Sequence, residues 1–343
     1  MKRAALIGVC SLAPLAGAAA SAAAQALTHD VLVGPEILFF ESGAARDLSV
    51  AARASGHLLW TPPPDEFAGF ALEPRAGFRV LTFEERSSAE FIAEVRESIY
   101  SAGAEGGVRW GLSAQQKLRV LSDQPELPAF LEPSRFEAIL GGGLTVPLAG
   151  RLDLDVRTDA GLVRYGPEDW EILDRNVASA LVGLAHPLFS GTARALAGVG
   201  LEEYRDLSAV GRQDNRWDVR GEWVGGDPLY VQLEGGFVWN RSNRRGFDYR
   251  TWRAAVLLSM SMGSGSAQLY GAVASKTYTD PGPAGALVSP SDRDTGSFVI
   301  LQTVQPLGRR TNLHLRAELS SSETGFRNRY FQRVGFSALV SFK

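Results

Sequence analysis

The closing stretch of the chain, Asn328 to Lys343, alternates between two kinds of side chain. Tyr330, Gln332, Val334, Phe336, Ala338, Val340 and Phe342 are apolar or aromatic apart from one glutamine, whereas Arg333, Gly335, Ser337, Ser341 and Lys343 share the other parity. Successive side chains of a β-strand point to opposite faces, so this segment predicts a strand with one greasy face and one wet face. The same period of two runs through Arg151 to Arg157, Arg216 to Trp223, Leu229 to Phe237 and Asn312 to Leu319. Helices do not produce that period over so many segments.

Extended backwards, the pattern predicts strands near 31–40, 47–60, 67–82, 88–100, 106–120, 134–148, 151–164, 172–188, 192–204, 215–225, 228–240, 249–262, 266–279, 294–306, 311–320 and 329–342. Between them, short turn signals fall at Leu148-Ala149-Gly150, Ser190-Gly191, Gly225 to Pro228, Gly263-Ser264-Gly265 and Leu307 to Arg310. Longer polar connections alternate with these at Tyr165 to Arg175, Glu203 to Asn215, Asn240 to Tyr249, Tyr278 to Asp294 and Ser320 to Arg327. Pro62-Pro63-Pro64 reads as a turn, and residues 121–133 as a proline-punctuated polar loop. The stretch Ala89 to Tyr100 suits a strand through Phe91, Ala93, Val95 and Ile99, yet Ala93-Glu94-Val95-Arg96-Glu97 could also belong to a helix, which would leave fourteen strands.

Many strands of about ten residues, joined alternately by tight turns and long loops, are the pattern of an all-β, antiparallel up-and-down transmembrane β-barrel, here of 14–16 strands. The mean hydropathy of −0.05 fits, because lipid-facing residues are diluted by lumen-facing ones. Lys2-Arg3, the apolar stretch Ala4 to Ala20 and the small-x-small run Ala24-Gln25-Ala26 predict a signal peptide over 1–26 and a barrel over 27–343. Removal of that peptide takes away Cys10, the one cysteine, so neither disulfides nor a thiolate metal site are expected. A formal net charge of −3 is too small to call for nucleic acid.

The amphipathic last strand ending in Phe342 resembles the C-terminal strand of bacterial outer-membrane β-barrel proteins, which their assembly machinery recognises; here Lys343 follows the aromatic residue. That resemblance implies a multi-pass protein of the outer membrane of a Gram-negative bacterium, with outer-membrane lipids and the barrel assembly machinery as partners. The run from Ser320-Ser321-Ser322 through Tyr330 and Val334-Gly335-Phe336-Ser337 to Phe342 also resembles, more loosely, the end of barrels linked to exopolysaccharide or surface-lipoprotein export.

If the apolar parity faces lipid, then Arg151, Asp153, Asp155, Arg157, Arg216, Asp218, Arg220, Glu222, Glu234, Arg316, Glu318 and Arg333 face the interior. They would then line a water-filled pore, or form ion pairs that brace a closed barrel. The acidic loop at Asp123, Glu126 and Glu132 resembles the constriction loop of general porins, and an exposed loop accounts for it equally well. His29, His57, His186 and His314 stand without a nucleophile elbow, an HExxH helix or a close carboxylate pair, so no catalytic group, metal or cofactor is expected. Gly141-Gly142-Gly143 lies within a strand and marks close packing rather than a phosphate cradle. Trp60, Trp110, Trp217, Trp223, Trp239, Trp252, Tyr249 and Tyr330 near strand ends read as an interface belt. The expected role is a passive channel for small polar solutes, with export of a polysaccharide or surface protein as the alternative and oligomeric state left open.

Overall fold

The computed structural model describes residues 26–42, 45–62, 68–83, 87–101, 107–122, 134–148, 151–166, 168–205, 211–280, 296–325 and 329–342. Sixteen antiparallel strands close on themselves, each paired with its sequence neighbours and the first with the last. They are β1 (Ala26–Ser42), β2 (Ala45–Thr61), β3 (Ala68–Thr82), β4 (Ser87–Ser101), β5 (Arg109–Leu121), β6 (Arg135–Pro147), β7 (Asp153–Tyr165) and β8 (Arg175–Leu188). The second half comprises β9 (Gly191–Tyr204), β10 (Gln213–Gly225), β11 (Tyr230–Ser242), β12 (Tyr249–Met262), β13 (Gly265–Tyr278), β14 (Ser297–Pro306), β15 (Thr311–Gly325) and β16 (Arg329–Phe342). All sixteen expected strands are present, and the stretch that could have been helical is strand β4. Residues 1–25 of the expected signal peptide, Pro63-Pro64 and the acidic loop with Asp123, Glu126 and Glu132 lie outside the described residues, and Ala26 opens β1.

The outward face is the apolar parity. Val31, Val33, Ile37 and Phe39 of β1 are exposed, and so are Leu233 and Trp239 of β11 and Leu315 and Leu319 of β15. In water such a surface would be unsustainable; against lipid it is the favourable one. Closure then satisfies the backbone, since an open sheet edge has no partner in hydrocarbon. Among the described residues no helix is long and apolar enough to cross a membrane, so the strands make the crossing.

The belt expected of the aromatics holds on the outer face at both ends. Trp217 opposes Trp239 and Phe237 opposes Trp252 toward the end bearing the long loops. Trp60 packs edge-on against Phe70 at 5.7 Å, and Trp223 donates from Nε1 to the Leu188 carbonyl at 3.2 Å, toward the end bearing the termini. Tyr249 departs from this reading. It is buried on the inner face against Tyr278, with ring centroids 5.9 Å apart, because its parity matches the inward Thr251 and Arg253 rather than the outward Trp252. The side chain of Tyr330 lies outside the described residues.

Three connections differ from expectation. Strand β15 runs to Gly325, with a register irregularity between Glu323 and Gly325, so most of Ser320 to Arg327 is strand rather than loop. A strand that rises out of lipid into water turns polar on both faces and then looks like a loop in sequence. Residues 172 and 173 belong to a 3-10 segment, Glu168–Leu173, and β8 begins only at Arg175. Leu173 packs with Val163 and Tyr165, and the Asp174 carboxylate accepts the Tyr165 N–H at 2.7 Å, which turns the segment back onto its own hairpin. Burial raises the Asp174 carboxyl above its ordinary pKa, against that hydrogen bond and the charges of Arg164 and Arg205, which lower it. Finally, residues 43–44 alone separate β1 from β2 and residues 326–328 alone separate β15 from β16, so short and long connections alternate only between β5 and β15.

The seam between β1 and β16 pairs from Val31 with Phe342 to Ser42 with Phe331, interrupted at Gly34 and Pro35. Proline has no N–H to give, and the strands draw close there: a Cβ on Gly34 would collide with the Ala338 carbonyl oxygen. Gly34→Val should therefore reduce the heat-modifiable, folded fraction severalfold on refolding into lipid vesicles. Gly56→Val, where a Cβ meets nothing within 4 Å, should leave it unchanged.

Candidate functional site

The candidate site is the inner wall. Its direction is fixed by contacts between strands that are not neighbours, because such side chains can meet only across the concave interior. Arg157 of β7 reaches Glu222 of β10 with two hydrogen bonds of 3.1 Å each. Arg194 of β9 bonds Asp155 of β7 at 3.1 Å, and Arg109 of β5 bonds Asp153 of β7 at 3.0 Å. Arg216 bonds Glu202 at 2.7 Å, Arg220 pairs with Asp218, and Arg253 reaches Glu234 at 3.3 Å. Glu318 is shared by Arg316, at 2.6 Å, and Arg333.

Eleven of the twelve residues expected to face inward therefore lie on the inner wall, each with an opposite charge beside it. Arg151 is the exception. It is exposed in the β6–β7 turn at a φ of 110°, and β7 starts two residues later. The turn, closed by the Leu148 N–H to the Leu152 carbonyl at 2.7 Å, takes this arginine out of the strand's alternation.

The wall is not uniform. On the arc β1 to β5, Arg79 binds Glu36 at 3.1 Å and also Glu90, and Glu90 in turn binds Arg119. These side chains are almost fully buried, Glu90 at 2% exposure and Arg119 at 9%. Arg53 adds a further charge that interacts with Glu36, with Arg79 and, from the far side of the seam, with Arg316. Beside this network Leu38, Phe40, Ala51, Leu81, Phe83 and Leu121 form an apolar cluster, with the Phe40 and Phe83 rings 5.7 Å apart. This part of the interior is filled like a protein core.

Further from the long-loop end of the same strands, and on β7, β10 and β15, the charges are wetter: Arg75 keeps 44% of its side-chain surface and Arg96 46%. Arg157 keeps 37% of its side-chain surface, Arg316 33% and Arg220 29%. A third stretch, on β12 to β14, is uncharged: Ala255, Leu257, Tyr270, Ala272, Phe298 and Ile300 share the inward parity, with Tyr270 and Phe298 edge-on at 4.7 Å. Toward the mouth, Arg212 is held between the rings of Tyr204, at 4.0 Å, and Phe247, at 3.9 Å, while it grips the Asp214 carboxylate. This clamp draws the β11–β12 loop over the β9–β10 wall.

Sequence reasoning missed Glu36, Arg53, Arg79, Glu90 and Arg119. The signal was present, since each shares the parity opposite exposed apolar residues such as Ile37, Val50, Val80, Phe91 and Val120. Alanines and prolines on the outer parity of these strands dilute that contrast. The histidines are ordinary members of the wall: His57 shares a 2.8 Å hydrogen bond with Glu73 and His314 one of 2.9 Å with Ser341. A Cβ on Gly141 would stand 2.7 Å from Ser113 Oγ of β5, so this glycine permits close packing of β6 on β5, whereas one on Gly143 would meet nothing within 4 Å. Among the described residues no group of His, Cys, Asp and Glu could hold a metal ion.

No protein-family model and no curated protein sequence matches the chain. Solved structures similar to it include a bacterial polysaccharide outer membrane secretin, with 9% identity over 92% of this chain and 98% of that one, at a TM-score of 0.43. They also include OccK5 (OpdH) of Pseudomonas aeruginosa, 12% identical over 92% and 97%, at 0.41, and an anion-selective porin from Comamonas acidovorans, 11% identical over 93% and 99%, at 0.42. The closed sixteen-strand barrel, with its apolar outer face and charged inner wall, has the architecture of a multi-pass transmembrane β-barrel.

Because Glu90 answers two arginines in a nearly dry setting, removing its charge takes a buried partner from Arg119 and leaves Arg79 with Glu36. Loss of one partner from a buried ion pair costs about 3–5 kcal/mol, whereas a solvent-exposed pair contributes about 1 kcal/mol or less. Glu90→Gln should lower stability by about 3 kcal/mol in urea unfolding from lipid vesicles, and Arg316→Gln, in the wetter part of the wall, by less than about 1 kcal/mol.

Proposed function

We propose that the barrel is an outer-membrane channel for passive diffusion of small polar solutes. The observation that carries this reading is the partly wet condition of the inner-wall pairs on β7, β10 and β15, whose arginines keep about a third of their side-chain surface exposed while their acid partners keep 12–17%. Sixteen strands set about 4.8 Å apart and tilted by about 40° close at a radius of roughly 16 Å, more than side chains from one wall can fill. The packed loop-side part of β1 to β5 narrows the passage from one side, and the partly exposed charges and the uncharged stripe on β12 to β14 line what is left. Positive and negative groups along this path nearly balance, which favours weak ion selectivity. The residues assigned to the lining are Asp153, Asp155, Arg157, Arg216, Asp218, Arg220, Glu222, Glu234, Arg316, Glu318 and Arg333.

Purified protein in a planar bilayer should give stable ohmic steps. A charge in a narrow passage with low-dielectric walls is poorly screened, so one reversal is enough to register. Arg220→Glu or Arg316→Glu should move the reversal potential toward cation preference under a salt gradient, and the outward Trp217→Leu should leave it where it was. Folded protein that conducts nothing would contradict the reading and leave the inner charges as bracing for a closed barrel.

A further inference from the structure

The loop between β11 and β12 is strongly basic. Arg241, Arg244, Arg245 and Arg250 fall within ten residues, against the single acid Asp248. That acid is committed to the loop itself: its carboxylate accepts the Ser242 N–H at 2.7 Å and its carbonyl the Thr279 N–H at 2.9 Å. Arg241, Arg245 and Arg250 are exposed. Register then fixes the side on which the two strand arginines stand. Cross-strand partners share a face, and Arg250 opposes Trp239, which opposes Trp217, so all three point outward. Arg241 sits one step higher, opposite Asn215, with its guanidinium 5.9 Å from the Trp217 ring.

Two guanidinium groups thus stand on the lipid-facing surface at the loop-side edge of a belt of Trp217, Trp239 and Trp252, the level at which headgroups meet water. Offset by two residues on neighbouring strands, they are roughly 7 Å apart at the backbone, within reach of one tetrahedral anion. Every outward position of β10 to β13 is free of Asp and Glu, and among the described residues neither arginine has an ion-pair partner. Planar guanidinium forks match phosphate oxygens two at a time. Beneath them Val219, Phe237 and Trp252 give an apolar wall for acyl chains.

We infer that Arg241 and Arg250, with Arg245 above them, form an outward-facing binding site for the phosphorylated headgroup of a lipid in the leaflet on the loop side. The site lies on the opposite face of the wall from the channel and does not depend on conduction. A basic residue near an anionic headgroup contributes about fivefold in affinity, so the pair contributes roughly thirtyfold.

Native mass spectrometry of the full barrel in non-ionic detergent tests this, with three probes: a bis-phosphorylated glycolipid, the same glycolipid stripped of phosphate, and phosphatidylcholine. Wild-type protein should retain the phosphorylated lipid selectively. Arg241→Gln combined with Arg250→Gln should weaken that retention roughly thirtyfold, Arg241→Lys with Arg250→Lys should keep most of it, and Arg309→Gln with Arg310→Gln at the opposite end should leave it unchanged. Equal retention of all three lipids by the wild type, which needs no variant to fold, would overturn the site. So would unchanged retention in the doubly neutralised variant.

Discussion

Everything in this molecule follows from the demand that backbone N–H and C=O groups find partners within the chain where water is absent. Each unpaired group in hydrocarbon costs several kcal/mol, and a sheet with two edges carries a row of them. Pairing β1 with β16 removes both edges at once. Once the wall is closed, the pleat assigns alternate residues to lipid and to the interior, and the side chains have no further choice. This is why a strand such as β10 can carry Trp217 and Val219 between Arg216, Asp218 and Arg220 without conflict.

The interior is then where the energetics are contested. Away from the interfaces charges on the lipid side are costly, so they collect inside, where two outcomes are open to them. On the loop-side part of β1 to β5 they pack densely with phenylalanine and leucine and become part of a core, with Glu90 between Arg79 and Arg119. On β7, β10 and β15 they pair sideways along the wall and keep contact with water. The first arrangement stiffens the barrel near its seam; the second shapes the field of whatever passes through. One strand can hold both, since β3 and β4 carry Arg79 and Glu90 in the dry network and the more exposed Arg75 and Arg96 further along.

Much of the fold was legible in the sequence because lipid and lumen impose the simplest periodicity a chain can carry. The inner positions of β7, β10 and β15 could be named from parity alone, since Leu, Val and Trp alternate there with Asp, Glu and Arg. Partnership was not legible. That Arg157 meets Glu222 three strands away, or that Arg53 interacts with Arg316 across the seam, depends on register and closure, which no local pattern records. Parity also misled where the chain leaves the regular wall: Arg151 falls in a turn, Tyr249 lies on the inner parity despite its place near the strand end, and the serines after Leu319 continue as strand beyond the lipid.

The central claim is that the wall has a dry outer face and a wet inner one, and the most direct measurement is a nitroxide scan along β10. Single cysteines at each position from Arg216 to Glu222, spin-labelled in lipid vesicles, report collision with oxygen, which partitions into lipid, and with a water-soluble nickel chelate. The structure predicts a period of two, with the labels at residues 216, 218, 220 and 222 accessible to nickel and those at 217, 219 and 221 accessible to oxygen. Uniform accessibility along the strand, or nickel reaching the tryptophan and valine positions instead, would contradict it.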